Sequence, residues 1–252
     1  MAKVRIDRLM VERGLAPTRA RAQAILSDTG AAVFAGTRRV HKPGTMVDEA
    51  CALRVEGQGA CERYVSRGGL KLEGALEHFE KSVEGLTALD LGASTGGFTD
   101  CLLQRGASHV IALDVGHGQL SPILRADERV TVRENVNARS LTDEDVPMLV
   151  DLIVADLSFI SLKLVLPSAV RFLKPGGEIV ALVKPQFEAG AGALGKGGIV
   201  RDEAVRHRAI WGVIDFAASE LGLKILGVCD SAVAGGDGNL EAFLWARREA
   251  HL

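Results

Sequence analysis

Residues 89–100 read LDLGASTGGFTD, and the fold follows from how that stretch is understood. An apolar run of strand length ends in an acid, Asp90, and passes at once into a turn holding Gly92, Gly96 and Gly97. Glycine lets the main chain turn tightly and approach a ligand closely. Outward from that point, apolar runs of the same length recur: HVIALDV (109–115), VTVREN (130–135), DLIVADLS (151–158), EIVALVK (178–184), LKILGVCD (223–230) and EAFLWARRE (241–249). Helical stretches lie between them, the clearest being SLKLVLPSAVRFL (161–173) and DEAVRHRAIWGVIDFAASELG (202–222). Continuous Val/Ile/Leu strands alternating with helices predict a mostly parallel sheet covered on both faces. The fold class is therefore α/β, Rossmann-like, with seven strands. The last two are joined only by SAVAGGDGNL (231–240), too short for a helical crossover, so the last strand is expected to be antiparallel.

Residues 1–60 have a different texture. RIDRLMVERG places apolar residues at 6, 9, 10 and 11 between charges, a helical pattern closed by Gly14. TRARAQAILSDTG follows as a second helix, with Thr18 as its cap and Gly30 as its stop. AAVFAG (31–36), RRVHKPGTMV (38–47) and CALRVEG (51–57) read as short strands. The expected organisation is a small α+β domain over 1–60, a linker over 61–66 and the sheet domain over 67–252.

The chain of 252 residues, 47% apolar and 25% charged, has the composition of a folded globular protein. Its net charge of -2 is unevenly spread: residues 1–60 carry ten Lys/Arg against six Asp/Glu, a net of +4, and the rest nets -6. A basic arm on an acidic body points to a polyanionic partner. Cys51, Cys61, Cys101 and Cys229 show no metal-ligand spacing and read as buried free thiols in a reducing cytoplasm, so no metal is expected. The start lacks the apolar core of a signal peptide, and no run approaches a membrane span.

In a doubly wound sheet the ligand sits at the carboxyl ends of the strands. Asp90 and Asp114 close the first two strands around the glycine turn, and an acid in such a place grips ribose hydroxyls. The turn has no lysine for phosphates, which excludes a P-loop. Two cofactors stay open: NAD, whose pyrophosphate needs an open helix N-terminus, and S-adenosylmethionine, whose ammonium suits an acid in the first turn. The pattern favours S-adenosylmethionine. Its expected contacts are Asp90, Gly92, Ser94, Thr95, Gly96, Gly97, Phe98, Asp114, Val115 and Asp156.

Asp156 ends the fourth strand, Lys184 ends the fifth and Glu241 opens the antiparallel last one, so the three are expected on one sheet edge. Lys71, on the helix in SRGGLKL (66–72), is free to pack beside them. Singly, a lysine after a strand is a solvated loop charge and an aspartate a helix cap. Together, two acids and two lysines at a cofactor cleft suit an alcohol that must be aligned and stripped of its proton.

SRGGLKL resembles the lysine-bearing segment of FtsJ-type RNA 2′-O-methyltransferases, and Lys71, Asp156, Lys184 and Glu241 fall in the order of that family's catalytic tetrad. RIDRLMVERGLAPTRARAQAIL resembles an S4-type RNA-binding domain. With YVSRGGLKL, LDLGASTGGFTD and LVKPQFE, the combination resembles the TlyA family over roughly residues 3–249. The resemblance implies ribose methylation of ribosomal RNA, with cytidine as the target and ribosomal subunits as partners, in the cytoplasm. It implies that Lys184 lies nearest the reacting hydroxyl, that Asp156 holds it, and that Lys71 and Glu241 balance charge. Members have also been labelled haemolysins. A membrane-active protein, a non-catalytic RNA-binding module and an NAD oxidoreductase are the rival readings, and the oligomeric state stays open.

Arg5, Arg8, Arg13, Arg19 and Arg21 cluster in the two N-terminal helices and are the expected phosphate contacts, with Arg67 next to the linker. One tyrosine and two tryptophans make base stacking sparse, so structured RNA is the expected partner rather than single strands. EAGAGALGKGGIVRD (188–202) reads as a mobile loop over the site.

Overall fold

The computed structural model describes residues 3–16, 18–27, 32–56, 63–190, 192, 195, 198–235 and 238–250. Two compact units divide the chain, Met1–Arg67 and Gly68–Leu252. Gly30, Cys61, residues 61 and 62 of the expected linker, and five positions of the glycine-rich loop (191, 193, 194, 196 and 197) lie outside the described residues.

In the first unit, strand β1 (Lys3–Arg5) leads directly into helix α1 (Ile6–Glu12), followed by α2 (Arg19–Ser27), β2 (Ala32–Ala35), β3 (Arg38–Val40), β4 (Met46–Asp48) and β5 (Leu53–Glu56). Ile6, Leu9 and Met10 recur at helical spacing and meet Ala22, Ile25 and Leu26 of α2 and Val33, Val40 and Val47 of the strands in one core. Gly14 closes α1 in the left-handed region, at φ 70°. The strands form two sheets, β1 with β4 and β3-β2-β5. The stretch 38–47, read as one strand, is two: it breaks around Pro43, and β4 leaves to pair with β1, a strand the sequence pattern did not reveal.

Asp7 is buried in the first turn of α1. Its carboxylate accepts from Arg5 Nε at 3.0 Å and Nη2 at 2.9 Å, Arg19 Nη2 at 3.2 Å, Gln23 Nε2 at 2.8 Å and the Arg8 amide at 2.9 Å. One carboxylate thus ties α1 to α2. The Arg5 guanidinium, aided by Gln23 and Arg19, holds that carboxyl well below the usual range against the opposing effect of burial. A depressed carboxyl contributes stability above its ordinary range and loses it as the pH falls through its folded value. Asp7→Ala is expected to destabilise this unit by about 2 kcal/mol, a modest figure because the arginine partners remain half in water. Hydrogen exchange in the full chain reads this as roughly 30-fold faster exchange of α1 and α2 amides; unchanged exchange refutes the clamp.

The second unit runs α3 (Gly68–His78), β6 (Thr87–Leu91), α4 (Gly97–Gln104), β7 (His109–Leu113), α5 (Pro122–Arg125), β8 (Val130–Arg133), a 3-10 turn at Ala138–Ser140, β9 (Val150–Ala155), α6 (Leu162–Val170), β10 (Leu173–Val183), α7 (Pro185–Glu188), α8 (Glu203–Ser219), β11 (Leu223–Asp230) and β12 (Ala242–Arg248). The seven strands order as β11-β12-β10-β9-β6-β7-β8. Consecutive residues along β6, β9 and β10 are buried, so both faces are covered. The α/β Rossmann-like sheet and its antiparallel last strand are as the sequence predicts. Two details differ. The helix expected over 161–173 stops at Val170, and Leu173–Gly177 joins β10 through an irregular register. The last strand does not merely pair with β11; it inserts between β11 and β10.

That insertion positions the site. In register, Leu91 faces Ala155, Ala155 faces Ala181, and Val183 faces Ala242 on the oppositely running β12. The next residues outward, Asp156 after β9, Lys184 after β10 and Glu241 before β12, share one edge.

Candidate active site

Lys71 lies in the first turns of α3 and is almost wholly buried. Its Nζ is 2.6 Å from Glu241 Oε2, the two side chains being 6% and 2% exposed. Glu241 Oε1 accepts from Gln186 Nε2 at 3.3 Å. Gly235 makes room for that carboxylate, since a Cβ there would stand 2.6 Å from Oε1. Lys184 caps α7. Its Nζ lies 2.6 Å from Asp156 Oδ1, an ion contact rather than an aligned hydrogen bond, and donates to Ser158 Oγ at 3.0 Å. The four residues named from sequence therefore resolve into two lysine–carboxylate pairs at one sheet edge.

Asp156 also opens onto a cavity of about 480 Å³ at the ends of β6, β7 and β9. Gly92, Ser94, Asp114 and Val115 line it too, as do Val136, Asn137, Arg139, Leu157, Ser158, Phe159 and Ile160. Asp114 is fixed by the turn it faces: Oδ2 accepts from the Ser94 amide at 2.8 Å and Oδ1 from the Gly116 amide at 2.7 Å. Gly92, at φ 82°, is a close approach in its own right. A Cβ there would meet the Asp156 carbonyl at 2.7 Å and force β6 and β9 apart at the cavity floor.

The other residues named for the cofactor lie elsewhere. Phe98 is buried and stacks on Phe243 at 6.1 Å between centroids. Gly97 starts α4, and Gly96, at φ 98°, yields its space to Leu124 of α5, which a Cβ would overlap. Thr95 accepts the Ser121 amide on its carbonyl. Asp90 is fully buried; Oδ2 accepts from Thr99 Oγ1 at 2.6 Å, and Oδ1 has no partner among the described residues. Burial pushes its carboxyl up to about 7; the Thr99 hydrogen bond opposes this, and the charges of Asp156 and Asp114 add to it.

Sequence reasoning missed Gln186, Ser158, Asn137 and Arg139. The first two sit two residues beyond Lys184 and Asp156, where Pro185 and the end of β9 keep them at the same edge. Asn137 and Arg139 follow β8 and obey the strand-end rule already applied to Asp90 and Asp114.

The expected RNA contacts fall in the first unit. Arg5 and Arg19 hold Asp7, Arg8 pairs with Glu12 at 2.7 Å one turn on, and Arg13 donates to the Glu49 carbonyl. The pairing of Arg8 is the i,i+4 arrangement of a solvated helix face. Arg21 and Arg67 are both partly buried. Of the described cysteines, Cys101 and Cys229 are buried and Cys51 is only partly so, against the expectation of buried thiols throughout. Among the described residues no group of His, Cys, Asp or Glu is placed to hold a metal ion, and no helix is long and apolar enough to cross a membrane.

The profile of the FtsJ-like methyltransferase family matches residues 64–248. A Mycobacterium tuberculosis protein named 16S/23S rRNA (cytidine-2′-O)-methyltransferase TlyA is 48% identical over 247 residues, spanning 98% of this chain and 91% of its own length. A Brachyspira hyodysenteriae protein named Hemolysin A is 39% identical over 246 residues, spanning 94% of this chain and 97% of its own. A solved Streptococcus thermophilus structure carrying a provisional hemolysin name superposes with a TM-score of 0.77 at 42% identity, over 99% of this chain and 90% of that one.

Two measurements check the electrostatics. Lys71→Met leaves a buried carboxylate unpaired and is expected to cost about 3 kcal/mol, most of it recovered in Lys71→Met with Glu241→Gln; a double variant as unstable as the single refutes the buried pair. For Asp90, a raised carboxyl means the folded chain binds a proton more tightly than the unfolded one between 3.8 and about 7. Stability is therefore lost as the pH rises across that window and is level above it. Asp90→Asn is expected to remove that slope in denaturant titrations; a parallel profile refutes the burial of an acid there.

Proposed function

The chain belongs to the FtsJ-like methyltransferase family, and on that premise we propose that it moves a methyl group from S-adenosylmethionine to a ribose 2′-hydroxyl of ribosomal RNA, with cytidine as the target nucleoside. The observation that carries the reading is the pairing of Lys71 with Glu241 and of Lys184 with Asp156 at one sheet edge, the second pair opening onto the strand-end cavity.

The cavity suits the cofactor. Its volume is within the range of small-molecule sites, its walls include Val115, Val136, Leu157 and Ile160, and its acids, Asp114 and Asp156, favour a cationic guest. Among the described residues no lysine lines it, and Arg139 is its one basic side chain. Asp114 would hold the ribose hydroxyls, and Gly92 and Ser94 would offer main chain. Bound there, S-adenosylmethionine supplies a methyl carbon on a sulfonium sulfur that leaves as a neutral thioether.

A ribose hydroxyl is a weak nucleophile. Lys184 orients it and stabilises the charge that grows on oxygen, and the Lys184–Asp156 pair takes its proton. Ser158 fixes the lysine from a second side. Lys71 and Glu241 keep the surrounding field balanced and dry. The unit over 1–60 serves as an S4-like RNA-binding domain, joined by the linker at 61–66 to the catalytic domain at 67–252, and ribosomal subunits in the cytoplasm are the substrates. Against the hemolysin names of relatives, no helix among the described residues is long and apolar enough to cross a membrane.

Labelled methyl transfer to ribosomal subunits and naked ribosomal RNA, followed by alkaline hydrolysis, tests the reading. A 2′-O-methyl blocks cleavage, so label is expected in alkali-resistant dinucleotides; label only in mononucleotides means base methylation and overturns it. Lys184→Ala is expected to lower turnover by roughly 100-fold or more while binding of S-adenosylmethionine persists. Near-wild-type turnover in that variant removes Lys184 from the chemistry, and tighter binding of reduced nicotinamide than of S-adenosylmethionine would restore the oxidoreductase reading.

A further inference from the structure

Arg5 and Arg19 converge on one buried carboxylate and Arg8 answers Glu12, so the helical arginines have structural partners within the first unit. Another part of that unit carries a different arrangement. Residues facing each other on antiparallel strands point to the same side of the sheet. Across β3-β2-β5, Val33 faces Val40 and Val55, and this row enters the core. The neighbouring row is Arg39, Phe34 and Arg54, in register on the opposite side. Both arginines are exposed, and Phe34 is half-buried. The Arg54 guanidinium lies over the Phe34 ring, 5.0 Å from its centroid, a cation–π contact between a planar cation and an aromatic ring.

We propose that this outer sheet face is a docking surface for a single-stranded or loop segment of RNA, with a base stacking on the Arg54–Phe34 platform and Arg39 on an adjacent phosphate. The proposal rests on the ribosomal RNA reading above and extends it to where the substrate is gripped. Charge favours this occupant: residues 1–60 carry a net of +4 while the rest of the chain nets -6, so a polyanion is drawn to this unit and repelled elsewhere. The chemistry of the row favours it too. Planar guanidinium over an aromatic ring is a stacking surface for unpaired bases, which a smooth phosphate array does not require. The expectation of sparse stacking counted tyrosine and tryptophan and passed over phenylalanine.

The test uses the full chain with naked ribosomal RNA across a salt series. Arg39→Gln with Arg54→Gln is expected to weaken binding at least tenfold and to lower the slope of log affinity against log salt by about 0.7 for each phosphate no longer neutralised. Phe34→Ala is expected to weaken binding with a nearly unchanged slope, and Phe34→Trp to restore it. In methyl transfer the double variant raises KM at least tenfold and leaves kcat and S-adenosylmethionine binding as they were. A double variant with wild-type affinity and slope refutes the face even if the wild-type chain methylates RNA normally. A double variant that keeps RNA binding but no longer binds anionic phospholipid vesicles refutes it in favour of a membrane surface. A wild-type chain that binds RNA through this row yet methylates none supports the face and refutes the activity, so the two readings fail separately.

Discussion

Everything at the site depends on holding the ammonium of Lys71 against the carboxylate of Glu241 away from water. The two come from positions 170 residues apart, and neither keeps more than 6% of its side-chain surface exposed. Removing two charges from water costs several kcal/mol for each, and their attraction offsets this only when the geometry is good and other groups satisfy what is left. The chain supplies those conditions. Gln186 donates to the second carboxylate oxygen, Gly235 lacks the atom that would collide with it, and β12 runs antiparallel so that Glu241 opens at the edge where β9 and β10 end. A hydrophobic pair of the same volume would stabilise the fold as well or better. The chain nonetheless builds a fitted pocket for the two ions.

The second pair has a different character. Lys184 and Asp156 are more open, at 11% and 22%, and Asp156 lines the cavity. A closed pair and a half-open pair thus stand at one sheet edge, and of the two the second lines the cavity, through Asp156. Ser158 and Gln186, one next to each pair, limit the rotamers available to them. Binding energy is used best when reacting groups are held before the substrate arrives, because no reorganisation then accompanies reaction.

Much of this is legible in the sequence for a physical reason. Strands buried on both faces must be continuously apolar, so the runs ending in Asp90, Asp114, Asp156 and Lys184 announce both the sheet and the edge on which those residues stand. What local pattern does not carry is long-range order. Nothing in 223–249 says that β12 enters between β11 and β10, and nothing near Lys71 says that its partner is Glu241 rather than Asp156. The glycine turn shows the same limit. Gly92 is a close approach to the cavity floor, but Gly96 makes room for Leu124, and Phe98 joins Phe243 in the core. A fingerprint mixes residues that face the ligand with residues that shape the turn behind them, and spacing alone does not separate the two.

The N-terminal arginines teach the complementary lesson. Clustered positive charge in sequence marks a basic region, yet Asp7 draws two of the five into its own structure and Glu12 a third. Charge counting over 1–60 still holds, since a net of +4 survives those pairs, but it locates the attraction only to the unit. A field of that sign in the same chain as an acidic catalytic unit has a consequence for specificity. Non-specific polyanions gain affinity at the basic unit and are repelled near the cavity, which Asp114 and Asp156 line. On the RNA reading proposed above, a segment would enter the site only where its shape or its unpaired bases hold it against that repulsion. On that reading the salt-sensitive attraction belongs to the basic unit, and raising the salt concentration weakens it far more than it weakens contacts that involve no phosphate.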